Sequence, residues 1–224
     1  RRSQRSPSEQ EMVQKQRMRE FFRMVGKIDF QEPPLTDIYN ELPIARHKGA
    51  MILELIEDQI GQAAVLSGIQ DFLADHRYQS APYATVIDLQ NSLVAQADAN
   101  AVKAMIEELF NQVLTYQVGI GDVVYRDRAD GRYNVVINVE AQKIQTTGLG
   151  EQSTHPINLP ITIELRDADN QLIQTFQPTI NQERSTITLV TDQVPSSATI
   201  DPRYRLPSAY LQDNTRVVHS GHQN

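Results

Sequence analysis

A run of three basic side chains, Arg46-His47-Lys48, is the group best suited to chemistry in this chain of 224 residues. The run forms a cationic cluster at the start of an apolar helical pattern. We expect either that these side chains face a substrate cleft or that they form a solvated turn of the helix. Both interpretations stay open from the residues alone.

The other chemically capable residues do not form a complete catalytic or metal-binding pattern. The chain has no cysteine, and its five histidines include no pair with the spacing of the H-E-x-x-H zinc motif. His219 and His222 lie three apart in a polar segment, where only adventitious metal binding is expected. Gly119-x-Gly121 lacks the third glycine of a phosphate loop and indicates an interdomain turn. We therefore predict no catalytic, cofactor-binding or metal-binding residue in this chain.

Helical periodicity dominates the first half of the sequence. Apolar spacing, capping residues and breakers predict five helices, at about 9–25, 43–61, 65–73, 85–93 and 99–116. The predicted apolar stripe of the second helix is Gly49, Ile52, Leu53, Ile56 and Ile60, with Gly49 as a close-packing site. The predicted stripe of the third helix is Val65, Leu66, Ile69, Phe72 and Leu73. Because no helix can bury its stripe alone, the helices are expected to pack together.

Alternation with a period of two replaces the helical pattern after Val118. Clear alternation covers 133–141, 159–165 and 187–189, and Asp130-Gly131 is a strong hairpin turn signal. Weaker strand patterns cover 123–125, 172–176 and 198–200. Six or seven short strands predict an Ig-like antiparallel β-sandwich, with Tyr204 and Tyr210 packed on its edge. The predicted fold class is α+β, with about four to five helices followed by this sandwich.

Several short motifs, taken in their order, resemble a known family. The motifs are the helix start Arg46-His47-Lys48-Gly49-Ala50 with its end Ile60-Gly61, then Asp130-Gly131-Arg132-Tyr133, Ala141-Gln142-Lys143, Gly148-Leu149-Gly150-Glu151, Ile200-Asp201-Pro202 and Asp213-Asn214. Their order over residues 17–216 resembles the C-terminal region of aminopeptidase N-like (gluzincin) metallopeptidase modules of the type fused to ABC-type membrane permeases. In that family a tyrosine two residues before the Lys-Gly pair stabilises the oxyanion. Arg46 occupies this position here.

The resemblance implies a non-catalytic C-terminal portion of a membrane-linked aminopeptidase-like metalloprotein. This portion would wall the cleft and position the module, and Arg46, His47 and Lys48 would face the cleft. Zinc would belong to the parent protein, and the partners would be its missing N-terminal catalytic half and its permease part. The chain alone is not expected to be an enzyme, because it lacks the zinc motif. The alternative is a protein- or peptide-interaction module that acts through the β-sandwich.

Charge is unevenly distributed along the chain. Residues 1–27 carry eight Lys and Arg against three Glu, whereas the whole chain has a net charge of -7. We predict a disordered basic tail at 1–8, a helical subdomain at 9–118, a β-sandwich at 119–218 and a tail at 219–224. The acidic body argues against nucleic acid as a partner. No apolar run approaches the roughly 20 residues of a membrane span, so this segment is expected to be soluble, although its location stays unknown.

Overall fold

Helices come first in the chain and strands follow, which confirms the predicted α+β class. The computed structural model describes residues 7–27, 31–211 and 214–221. The helices in this part of the chain are α1 (Pro7–Val25), α2 (Leu42–Ile60), α3 (Gln62–His76), α4 (Val86–Ala95) and α5 (Asn100–Asn111), with a 3-10 turn at Leu35–Asp37. Of the predicted N-terminal tail, residues 1–6 lie outside the described residues, whereas Pro7 and Ser8 already belong to α1.

Strands begin directly after α5. They are β1 (Val113–Asp127), β2 (Tyr133–Thr146), β3 (Gln152–His155), β4 (Leu159–Pro160), β5 (Ile163–Arg166), β6 (Leu172–Phe176), β7 (Thr179–Ile180), β8 (Arg184–Thr191), β9 (Ser197–Ile200), β10 (Thr215–Val217) and β11 (His219–Ser220). The predicted C-terminal tail at 219–224 therefore begins with a strand, and its residues 222–224 lie outside the described residues.

The chain divides into two compact units. The helical unit comprises Gln16–Leu114 and Gln145–Ser153, and the sheet unit comprises the rest of the chain. The sequence placed the boundary after residue 118, but α5 ends at Asn111 and β1 begins at Val113. The segment around Tyr116 is extended because its N–H donates to the Pro207 carbonyl at 2.8 Å. Aromatic and β-branched side chains also favour a strand there.

Helix α2 supplies the centre of the helical unit's core. Its buried residues are Ile44, Lys48, Met51, Ile52, Leu55 and Ile56. Leu53 and Ile60 of the predicted stripe are only half-buried, so the true stripe is rotated around the helix. A Cβ placed on Gly49 would meet nothing within 4 Å, and this glycine is therefore not a close-packing site.

The close approach between helices occurs instead at Gly68 of α3. A Cβ at this position would lie 3.0 Å from the Ser92 carbonyl oxygen of α4. Since α3 packs with this face, Leu66 and Leu73 of its predicted stripe are exposed. The predicted cap of α4 is confirmed, because the Thr85 N–H donates to the Asp88 carboxylate at 2.7 Å.

Two sheets form most of the sheet unit. One sheet has the order β11-β1-β2-β3, with β8 also paired to β2, and the other has the order β10-β9-β5-β6. Val135, Ile137 and Val139 of β2 are buried, as are Ile163 and Leu165 of β5. These positions alternate with more exposed ones in β2, so that this strand turns one apolar face inward. Most pairs are antiparallel, as predicted, whereas β11 pairs with β1 in parallel.

The turn between β1 and β2 is the one that the sequence predicted. The Arg128 N–H donates to the Arg132 carbonyl at 2.9 Å, and the Gly131 N–H donates to the Arg128 carbonyl at 3.1 Å. Gly131 has a φ of 80°, a conformation that glycine adopts without steric cost. So short a connection requires β1 and β2 to be antiparallel.

Candidate functional site

The three basic residues predicted to act together are separated by the packing of α2. Arg46 is exposed, His47 is half-buried, and Lys48 is buried with 2% of its side chain accessible. The expectation of a shared basic surface is therefore corrected at Lys48. One side of α2 faces the core, and Lys48 lies on that side, one turn after Ile44 and one turn before Ile52.

The positive charge of Lys48 is balanced by a carboxylate of the same helical unit. Its ammonium donates to the Glu32 carboxylate, and the two groups form a buried ion pair. Burial lowers the pKa of Lys48, and the facing carboxylate of Glu32 raises the pKa by a smaller amount. A buried ammonium is tolerated only when it is paired in this way. The pair therefore fastens the extended segment before the 3-10 turn to helix α2.

Arg46 lies on an exposed and partly apolar surface of the helical unit. Leu42, one helical turn earlier, is 74% exposed, and Tyr39 is 88% exposed.

The histidines give no metal centre in the described part of the chain. His219 is exposed and pairs through its backbone with Val124, and His222 lies outside the described residues. Residues 7–27, 31–211 and 214–221 contain no group of three His, Asp or Glu placed to hold a metal ion. The same residues contain no helix that is both long and apolar enough to cross a bilayer.

A cleft of about 290 Å³ opens on the outer face of the sheet unit. Its floor is formed by Gly119 and Gly121 of β1, which alternate with the buried residues Val118 and Ile120. The alternation places both glycines on the outward face of the strand. The predicted interdomain turn at these glycines is therefore wrong, since both lie inside β1. We call this depression the glycine-floored cleft.

Side chains of β1 and β2 form one side of the glycine-floored cleft. Glu140 and Gln142 extend from the outward face of β2, and the Gln142 side-chain amide donates to the Gln117 amide oxygen at 2.9 Å. A Cβ on Gly121 would lie 3.5 Å from the Cβ of Asn138, which is an ordinary contact. The floor is thus open because the glycines have no side chains, not because the strands are separated.

Tyr210, Arg216 and Glu183 also line the cleft. Tyr210 is held by a local turn, in which its N–H donates to the Ser208 hydroxyl at 3.1 Å and that hydroxyl donates to the Tyr210 carbonyl at 2.9 Å. Arg216 belongs to β10, where it pairs with Ala198. Both side chains are therefore positioned by elements whose backbone is fixed.

The segment that carries Tyr210 is anchored upstream by Asp201. The buried Asp201 carboxylate accepts the N–H groups of Arg205 at 2.8 Å and Leu206 at 3.0 Å. Pro207 then accepts the Tyr116 N–H from β1. These bonds connect the wall of the glycine-floored cleft to the strand that forms its floor.

The glycine-floored cleft offers several kinds of recognition. The Tyr210 ring, more than half exposed, provides a flat apolar surface. Gln117 and Gln142 provide amide donors and acceptors, Arg216 provides donors, and the carboxylates of Glu140 and Glu183 accept hydrogen bonds. Because the Glu140 carboxylate is already paired with Arg184 at 3.1 Å, Glu183 and Arg216 are the lining residues whose charges favour a ligand that carries a cation and also a carbonyl or carboxylate group.

Sequence reasoning did not find this cleft. Tyr210 was expected to pack on the sandwich edge, and Arg216 had no assigned role. The available signal was the pair of glycines two residues apart in an alternating segment. Glycine within a strand often marks the close approach of a ligand or another backbone.

Comparison with known proteins does not identify a family. No protein-family model matches the chain, and no curated protein matches it. The similarity to the C-terminal region of aminopeptidase N-like modules thus stays a prediction carried by the short motifs quoted above.

Proposed function

We propose that this chain is an interaction module that binds an extended peptide segment of another protein in the glycine-floored cleft. The observation that carries the proposal is the outward placement of Gly119 and Gly121 on one strand of a sheet whose neighbouring outward positions carry side chains. Without those two side chains, a ligand backbone can lie directly on the strand. This is the form of the interaction hypothesis that the cleft supports best.

Size and charge support a peptide as the ligand. A volume of about 290 Å³ lies at the lower end of the range for small-ligand sites, and it suits a few residues of an extended chain. Glu183 would accept hydrogen bonds from a Lys or Arg side chain of the peptide. Arg216 would donate to a peptide carbonyl or carboxylate, and Tyr210 would cover an apolar part of the peptide.

The proposal is tested by selecting random heptapeptides displayed on phage against the immobilised chain. We expect enriched peptides to contain Lys or Arg and to lose at least about tenfold in affinity for the Gly121→Val variant, which is about 1.4 kcal/mol of binding free energy. Valine fills the floor, yet it has a high strand propensity, so the variant should remain folded.

The matched control is Gly148→Val, since a Cβ on Gly148 meets nothing within 4 Å and this glycine does not line the cleft. Peptide affinity should be the same for this control and for the unaltered chain. Failure to enrich peptides, or equal affinity for Gly121→Val, would contradict the proposal.

A second proposal follows the family resemblance. In a longer metallopeptidase-like protein with a membrane-linked part, the helical unit would wall the substrate cleft, with Arg46 facing it. Arg46 and Leu42, one turn apart on α2, are both exposed, which favours this role because such a surface is suited to being covered by another part of a protein. Zinc would then be held by that other part.

The second proposal is tested by sequencing the genomic DNA on both sides of the region that encodes this chain. We expect an H-E-x-x-H motif with a distal Glu upstream and membrane-spanning segments in the same reading frame. If the reading frame contains neither feature, the second proposal fails, while the proposed peptide binding is unaffected.

A further inference from the structure

Strand β8 has one paired edge and one free edge. It pairs with β2 over eight positions, from Tyr133 opposite Thr191 to Glu140 opposite Arg184. In the described part of the chain, no other strand pairs with β8. A free edge presents unpaired N–H and C=O groups, which can act as a template for a further strand.

The register shows which residues present these groups. The Ala141 N–H donates to the Glu183 carbonyl at 2.8 Å, so this pair is a hydrogen-bonded pair of the antiparallel ladder. Hydrogen-bonded pairs recur every two residues, and Ser185, Ile187 and Leu189 consequently bond to β2. The residues between them, Thr186, Thr188 and Val190, direct their N–H and C=O groups to the free edge.

The composition of β8 suits pairing with a further strand. Ser185 to Thr191 contains no charge, no proline and no glycine, and it is rich in β-branched residues. Natural edge strands are usually protected by lysine, proline or a bulge. Such protection is missing here between Arg184 and Asp192, the two charged residues that border the uncharged segment.

We infer that the free edge of β8 pairs with the β8 strand of a second copy of this chain, antiparallel about a two-fold axis at Thr188. In this register Thr188 lies opposite its own symmetry mate, and Thr186 lies opposite Val190 of the other copy. Each of these pairs can exchange two backbone hydrogen bonds. A two-fold interface of this kind uses the same surface on both copies.

Charge complementarity identifies a second copy as the occupant. The same register places Arg184 of one copy opposite Asp192 of the other. Within one copy, Arg184 already pairs with Glu140 at 3.1 Å. Arg132 and Asp192 follow the last pair of the ladder, Tyr133 and Thr191, and attract each other electrostatically. The row across the joined sheets then reads Glu140, Arg184, Asp192 and Arg132, so that each cross-strand neighbour has the opposite charge.

In this register, the inward-facing apolar side chains of the two copies also lie next to each other. Ile187 and Leu189 are half-exposed on the side of β8 that faces the core. The two-fold axis places Ile187 of one copy opposite Leu189 of the other, and both would lose accessible apolar surface. An interface built on one strand is small, and dimers of this size are weak.

The oligomeric state of the full chain provides the test. Sedimentation equilibrium from about 1 µM to about 1 mM should show a mass that rises from 25.4 kDa toward twice that value. Thr188→Lys and Thr188→Glu each place like charges opposite each other on the axis. We expect each variant alone to dimerise at least about tenfold more weakly.

An equimolar mixture of Thr188→Lys and Thr188→Glu should regain the dimer, because opposite charges then meet on the axis. The matched control is Thr175→Lys on β6, an exposed strand position in the other sheet, which should leave dimerisation unchanged. Thr188 is exposed, and circular dichroism should show both variants folded.

Three results would overturn the inference. The first is a chain that stays monomeric at every concentration, which would show that two copies do not pair through β8. A dimer that is insensitive to both Thr188 variants would have its interface elsewhere. A mixture that stays monomeric would exclude the two-fold register at Thr188.

Discussion

Replacing Glu32 by glutamine removes the negative charge that faces the buried Lys48 ammonium. The change keeps the shape of the side chain and leaves one carbonyl oxygen to accept a hydrogen bond. Because only 2% of the Lys48 side chain and 8% of the Glu32 side chain are accessible, water cannot replace the lost carboxylate. The variant must therefore keep an uncompensated buried charge or deprotonate Lys48, and both outcomes destabilise the helical unit.

The expected loss can be estimated from that burial. Removing one partner of a buried ion pair typically costs about 3–5 kcal/mol. Glutamine retains a hydrogen bond, so we expect the lower end, about 3 kcal/mol. At roughly 2–4 °C per kcal/mol, the melting temperature should fall by about 6–12 °C. The double variant Lys48→Met with Glu32→Leu should recover most of the stability, because a buried ion pair can often be replaced by apolar side chains.

Urea unfolding followed by circular dichroism at the helical signal measures these free energies. The matched control is Glu20→Gln on α1, an exposed position where the same change should cost no more than about 0.5 kcal/mol. If Glu32→Gln costs less than about 1 kcal/mol, the reasoning is refuted. A double variant as unstable as Glu32→Gln would also refute it, since the loss would then arise from packing and not from charge.

Four further results are expected. Ile56→Asp should cost at least about 4 kcal/mol in urea unfolding, because Ile56 is fully buried in α2; an unchanged midpoint would show that the site tolerates a charge. Arg46→Tyr should change stability by no more than about 0.5 kcal/mol, and a larger loss in thermal unfolding would reveal an internal partner. Asp201→Ala should cost about 2–3 kcal/mol by removing the acceptor of two backbone N–H groups, whereas Asp201→Asn, which keeps an oxygen, should cost less. Burial lowers the pKa of Lys48 below its ordinary value of 10.5 in the folded chain, so the unfolded chain binds more protons between the two values. The free energy of unfolding of the unaltered chain, measured relative to that of the Lys48→Met, Glu32→Leu double variant, should therefore increase as the pH rises from the lowered pKa to about 10.5. It should decrease again as the pH falls through the lowered pKa. A difference that does not change with pH would contradict this sign.

Local signals predicted the elements of this fold well. The Thr85 cap, the Asp130-Gly131 turn and the end of α2 at Gly61 depend on short-range geometry, and all three are present. The alternation in β2 also predicted which side chains are buried, because a strand has only two faces. These features are encoded within a few residues of where they occur.

Features that depend on distant parts of the chain were not predictable in the same way. The third helix has an apolar stripe of good spacing, but Gly68 and not Leu66 or Leu73 forms its contact. The length of α5 was overestimated because the segment around Tyr116 pairs with Pro207, some ninety residues later. The burial of Lys48 depends on Glu32, and a basic run on a helix contains no sign of such a partner.

The glycine-floored cleft illustrates the same limit for the candidate site. Its floor could be suspected from two glycines in one strand. Its walls are supplied by Tyr210 and Arg216, which reach the floor only through the turn at Asp201 and the pairing of β10. No spacing rule connects residues that are about ninety positions apart.

The parallel pairing of β11 with β1 also has a consequence for synthesis on the ribosome. Val124 cannot acquire its neighbour His219 until the segment that contains His219 has left the exit tunnel. The main body of the helical unit, Gln16–Leu114, emerges about 100 residues earlier, which corresponds to roughly 5–20 s of translation. During that interval one edge of β1 is available to other proteins, so a chaperone that recognises unpaired strands would meet this chain through β1.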